Sequence, residues 1–230
     1  MSQTGLRGIS SMATRQVLAE LVAGFMRQSG VEAAIESVGG VDAARRVQAG
    51  EAFDVVVLAS DAIDKLLASG HLLPGSKVDW VRSGVAVAVP AGALLPDITS
   101  EDAVRRAVLA ARSISYSTGP SGVALAQLFE RWGIAREMAP RMVQAPPGVP
   151  VGSLVAKGEV ALGFQQLSEL LHVPGIAIAG PLPPAIQITT TFSAGIGTLS
   201  QQADTARALL AYMASPHAAE AKRNQGMEPV

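Results

Sequence analysis

The chain has no cysteine among its 230 residues, which excludes disulfides, thiolate metal sites and a cysteine nucleophile. It has only three histidines, His71, His172 and His217, scattered without the spacing of a zinc site, so no metal is expected. Aromatic residues make up 4%, too few for the stacking platforms that hold single-stranded nucleic acid. Neither sign of charge is in excess, with 18 Lys and Arg against 19 Asp and Glu and a formal net charge of −1. Neutralising phosphates takes a concentrated basic surface, so a nucleic-acid partner is not expected either. The apolar runs, such as Val55–Ala59 and Val85–Pro90, are far too short to cross a bilayer, which argues against membrane insertion. The opening Met1-Ser2-Gln3-Thr4-Gly5 shows no basic stretch followed by an apolar one. The expectation is a soluble chain with no signal peptide, cytoplasmic or already trimmed of its leader.

What is present is a core-forming composition, 49% hydrophobic and 16% charged. Short β-rich runs alternate with helical stretches, the rhythm of an α/β fold with mainly parallel sheets. Strands are expected over Leu6–Ser10, Ala33–Val38 and Phe53–Ala59, with helices over Ala13–Ser29, Val41–Ala49 and Asp61–Ser69. In the first helix Val17, Leu18, Leu21, Val22, Phe25 and Met26 form one apolar stripe. A long strand over Val81–Ala91 leads to a second block. This contains a capped helix from Thr99-Ser100-Glu101-Asp102 to Ala111, strands Ile114–Ser117, Met142–Ala145 and Val160–Phe164, and helices Ser121–Trp132 and Gly152–Lys157. Shorter pieces follow at Leu167–Leu171 and Ile176–Gly180. A strand over Ala185–Phe192 and helices over Gln202–Ala214 and Pro216–Gln225 close the chain. This order suggests two lobes, one from residues 1–84 and 188–230 and the other from 85–187.

In open α/β sheets, ligands sit beyond the carboxyl ends of the strands, where helices begin. The loops there are Ser10-Ser11-Met12, Val38-Gly39-Gly40, Ala59-Ser60-Asp61, Thr118-Gly119-Pro120-Ser121-Gly122 and Phe164-Gln165-Gln166. They are short, and most are small and polar. Helix-start N–H groups with nearby hydroxyls make an anion site, although each such loop taken alone also reads as simple capping. The candidate ligand-binding residues are therefore Ser10, Ser11, Met12, Gly39, Gly40, Ser60, Thr118, Ser121, Gly122, Gln165 and Gln166. Gly39-Gly40 lacks the spacing of a dinucleotide fingerprint, and no Gly-Lys-Ser/Thr follows it. No Gly-x-Ser-x-Gly elbow or His-Glu-x-x-His is present, and no histidine falls in a site loop, so no catalytic residue is assigned. Asp42 and Asp61 stand at helix starts, where an acid favours the dipole. Arg7, Arg15, Arg45, Arg46 and Arg82 read as solvated, with one of them able to grip a carboxylate.

Over almost its whole length the chain resembles the type II periplasmic binding proteins, and among them the molybdate-binding group of ABC transporters. The resemblance is carried by Gly8-Ile9-Ser10-Ser11-Met12-Ala13, Val38-Gly39-Gly40, Gly50-Glu51-Ala52-Phe53-Asp54-Val55, Ala59-Ser60-Asp61, Gly158-Glu159-Val160-Ala161-Leu162-Gly163-Phe164 and Gly226-Met227-Glu228-Pro229. It implies two lobes closing on a small anionic ligand, an ABC-transporter permease as partner, no cofactor, and recognition by hydroxyls and backbone amides. The family's first-loop serine matches Ser10 or Ser11, and its third segment matches Pro120-Ser121-Gly122. Two positions depart from the pattern: Gly40 stands where the family carries serine, and Gln165 or Gln166 where it carries tyrosine. Losing two hydroxyls suits an organic carboxylate better than a tetrahedral metal oxyanion. Proteins similar to this group include isomerases of small polycarboxylates such as aconitate, which makes isomerisation the alternative expectation. A stand-alone ligand sensor is a third.

Overall fold

The computed structural model describes residues 5–230. Met1–Thr4, and with them the expectation about the leader, lie outside the described residues. The elements run in the order β1 Leu6–Ser11, α1 Arg15–Ser29, β2 Ala33–Val38, α2 Gly40–Gln48, β3 Val55–Ala59, α3 Ser60–Ala68 and β4 Val78–Pro90. They continue as α4 Glu101–Ala110, β5 Ile114–Tyr116, α5 Pro120–Arg131, α6 Ala135–Met138, β6 Met142–Gln144, α7 Val151–Ala156, β7 Leu162–Gln166 and α8 Leu167–Leu170. The last are β8 Ile176–Pro181, β9 Thr189–Ile196, α9 Ala203–Ala214, α10 Ala219–Asn224 and β10 Met227–Pro229. The protein is an α/β fold made of two compact units: the described residues up to Arg82 with Thr191–Val230, and Ser83–Thr190.

In the first unit β1 pairs in parallel with β2 and β3, and β9 runs antiparallel to β3. All five residues of β3 are buried because both faces of the sheet are covered. Val55, Val57 and Ala59 join the core beneath α1, α9 and α10, while Val56 and Leu58 join the one beneath α2 and α3. This two-residue alternation delivers one strand to two cores. Helix α1 buries Val17, Leu18, Leu21, Val22 and Phe25 and stops at Gly30, whose φ of 72° is the left-handed conformation that glycine adopts freely. Burying each side chain of this size contributes about 1.5–3 kcal/mol.

The second unit repeats the plan. Strand β5 pairs in parallel with β6 and β7, and β4 runs antiparallel to β7 and β8. Val85, Val87 and Val89 face the core formed with α4 and α5, and Ala86 and Ala88 face Leu170 of α8. Helix α4 begins where expected because the Ser100 Oγ accepts from the Ala103 N–H at 3.2 Å.

Three expectations need correction. The closing strand occupies 189–196, not 185–192. Residues 184–186 form a 3-10 turn led by proline, which has no N–H to donate, and the Gln187 Oε1 takes the Val85 and Ile188 N–H groups before the strand begins. The first helix opens as a 3-10 turn over Met12–Thr14, where the Thr14 Oγ1 donates to the Ser11 carbonyl. The last helix is shorter, with Pro216–Ala218 making a 3-10 turn ahead of α10. Helix α6 and strand β10 carry no periodicity of their own and were not anticipated. No helix among the described residues is long and apolar enough to cross a membrane.

Candidate functional site

In the first unit the parallel register puts Ser10 beside both Ser37 and Val57, so β1, β2 and β3 end at one edge. Three loops leave that edge and bring together Ser10-Ser11-Met12, Gly39-Gly40 and Ser60. The Ser10 Oγ is occupied, 2.8 Å from the Ser37 Oγ. Ser11 differs. Its Oγ is sealed from water and has no partner in the protein. A β-carbon on Gly40 would lie 3.5 Å from the Ser11 Cβ, an ordinary contact distance, so position 40 adjoins Ser11 with room for a side chain. Helices α2 and α3 start after Gly39 and Ala59, neither of which gives a side-chain cap, so their first-turn N–H groups keep their capacity for an acceptor.

The second unit has a matching edge. The pairings of Tyr116 with Gln144 and with Phe164 align the ends of β5, β6 and β7. Thr118, Ser121 and Gly122 follow β5, and Gln165 and Gln166 end β7. Helix α5 starts after Gly119 without a side-chain cap, and the Ser121 Oγ lies 3.3 Å from the Ser117 Oγ. The two glutamines point opposite ways, as neighbours on a strand must. The Gln165 Oε1 accepts from the Gly152 N–H at 3.1 Å and its Nε2 donates to the Glu169 Oε1 at 2.8 Å. The Gln166 Nε2 donates to the Thr190 Oγ1 at 2.8 Å, leaving a buried Oε1 without a partner.

Few cations attend these edges. Arg45 pairs with Asp42 on its own helix, and Asp61 pairs with Lys65 at 3.6 Å. Arg46 grips Glu36 and Glu51, Arg7 also reaches Glu51, and both guanidinium groups lie over the Phe53 ring. Arg15 and Arg82 are exposed. Among the described residues no group of three or more His, Asp and Glu is placed to hold a metal ion. Glu169 carries no signal of a site residue in the sequence. It is half-buried, accepts from Gln165, and is pushed up to about 7 by burial, with the Gln165 N–H pulling the other way.

A family profile described as bacterial extracellular solute-binding protein matches residues 6–228. A protein named aconitate isomerase from Pseudomonas sp is 40% identical over 233 residues, covering 99% of this chain and 88% of that protein. Among solved structures, the periplasmic molybdate-binding protein of Azotobacter vinelandii superposes with a TM-score of 0.80 at 23% identity, over 98% of each chain. The substrate-binding domain of a molybdenum ABC transporter from Clostridium difficile gives 0.75 at 13% identity, over 98% of this chain and 99% of that one. At these identities the two structures establish the type II periplasmic-binding-protein fold alone.

Proposed function

We propose, since the chain belongs to the bacterial extracellular solute-binding protein family, that it captures a small organic carboxylate using hydroxyls, amides and helix starts in place of fixed cations. Ser10, Ser11, Met12, Gly39, Gly40 and Ser60 form one set of candidate contacts, in the first unit, and Thr118, Ser121, Gly122, Gln165 and Gln166 another, in the second. The observation that carries this reading is the Ser11 hydroxyl, sealed from water and without a protein partner beside the opening of α2. A buried unpaired polar group costs about 1–3 kcal/mol, and an anion relieves that cost by accepting from it. Gly40 adds no second hydroxyl and Gln166 offers an amide, a poorer match to an oxyanion that needs a donor on every oxygen. Delivery of the ligand to an ABC-transporter permease, outside the cytoplasm where the family acts, belongs to the same proposal. Isothermal titration with trans-aconitate, citrate and molybdate tests it. Micromolar or tighter carboxylate binding is expected; tight molybdate binding with no carboxylate response overturns it.

The relative named aconitate isomerase favours a second reading, in which this chain moves an allylic proton in an unsaturated tricarboxylate. A base would remove a proton from the methylene beside the double bond, the charge would spread into a neighbouring carboxylate, and the proton would return at the other end of the allyl unit. Asp42 and Asp61 are poorly placed as that base, because each is paired with a cation on its own helix. Proton NMR of trans-aconitate incubated with the protein decides: a growing cis signal supports isomerisation, and bound but unchanged trans-aconitate leaves capture alone.

A further inference from the structure

Resting on the carboxylate reading, the inference concerns Glu169, in the single turn of α8 directly beyond the site end of β7. The Gln165 amide cannot be turned around. The Gly152 N–H can only donate, so it holds the Gln165 Oε1 and aims the NH2 at the Glu169 Oε1. The other carboxyl oxygen, Oε2, has no hydrogen-bond partner among the described residues, and the side chain is half-buried. Among the described residues no cation pairs with it. Helix α8 packs on β7, on the Ser83–Pro90 stretch of β4, on β8 and on α7, and none of these carries a titratable or charged side chain. The nearest ionisable neighbours in sequence are His172, just beyond α8, and Glu159, which follows α7 and lies 4.0 Å from Lys157. A carboxyl in uncharged surroundings gives up its proton reluctantly, and burial moves Glu169 up to about 7. Ionised, it can only accept and repels an anion; neutral, it donates.

The geometry points to Glu169 as a ligand-binding residue that meets a carboxylate as a neutral acid and donates its Oε2 proton into the hydrogen bond. Filling the site above neutral pH then takes one proton from solvent onto Glu169, and no other bond changes. The Gln165 clamp positions that donor.

Isothermal titration with trans-aconitate from pH 6 to 9, in buffers of different ionisation enthalpy, tests this on the wild type and on Glu169→Gln. The wild-type Kd should rise about tenfold per pH unit above 7, with one proton taken up per ligand at pH 8. Glu169→Gln, whose amide N–H stands where the neutral acid has its O–H, should bind with a Kd independent of pH from 7 to 9. A flat wild-type series, or full proton uptake by Glu169→Gln, overturns the inference and leaves carboxylate capture standing. If Glu169→Gln does not fold, the wild-type series decides alone. No carboxylate binding by the wild type even at pH 6 overturns the reading beneath it, and the inference with it.

Discussion

A β-carbon on Gly122 would lie 1.8 Å from the Ser117 carbonyl oxygen, closer than any two such atoms can approach. Gly122 thus lets the chain from β5 fold back over the start of α5, which holds Thr118 and Ser121 at the strand edge. Gly122→Ala must push Ser117 away, and overpacking of this kind typically costs about 1–3 kcal/mol. Urea unfolding should show that loss, with anion affinity falling as well. Unchanged stability would mean that the loop accommodates the methyl elsewhere.

Ser11 should behave in the opposite way. Its hydroxyl is sealed and unpartnered, so Ser11→Ala removes a desolvated group without breaking a protein hydrogen bond. Stability of the unliganded protein should stay level or rise slightly, while anion affinity falls by about 1.5–3 kcal/mol, the range for a hydrogen bond to a charged group. Thermal melts without ligand and titration with it separate the two effects. A Tm loss with unchanged affinity would make Ser11 structural.

Much of this was legible in the chain. The Ser-Ser and Gly-Gly loops each end a short β-rich run that leads into a helix, an order whose parallel pairing brings them to one edge. Residues 185–192 misled because their own alternation is satisfactory; what delays the strand to Thr189 is Pro184 and the Gln187 side chain, which takes the Val85 N–H from 102 positions away. Glu169 was invisible for a similar reason. In Leu167-Ser168-Glu169-Leu170-Leu171 it reads as the solvated face of a short helix. Its uncharged surroundings exist only once β4, β7, β8 and α7 are assembled around it.

Glu51 gives the acid limb of stability a specific source. Its hydrogen bond from Arg46 comes first, with one from Arg7 added, and together they hold its carboxyl down at about 2. Arg46 also holds Glu36 below the usual carboxylate range. A depressed folded pKa means a contribution fully present above the unfolded value of about 4.3 and lost as pH falls towards 2. Glu51→Gln should therefore lower Tm at pH 6, with the variant and wild-type curves converging by about pH 2. The cluster is exposed to solvent, so 1 M salt should shrink the difference. Parallel curves across the whole range would remove Glu51 from the account.

Gln165 couples the backbone of α7 to the acid on α8, so removing its amide should act at both ends. Gln165→Leu keeps an apolar stem but leaves the Gly152 N–H, in a buried bond, without an acceptor. That orphaned donor should cost about 1–3 kcal/mol, seen as a lower urea midpoint with an unchanged slope. At the other end, Glu169 loses the one donor that favours its ionised form, while the burial that opposes ionisation remains. Its titration should therefore move above the wild-type value of about 7. For an acid whose folded pKa is raised, stability is full below the unfolded value of about 4.3 and declines as pH climbs to the folded one. The variant should go on losing stability at a pH where the wild-type curve has levelled off. Carbon-13 NMR of the labelled glutamate carboxyl reads the midpoint directly. A midpoint at or below that of the wild type would show that Gln165 holds Gly152 alone and leaves Glu169 to other groups.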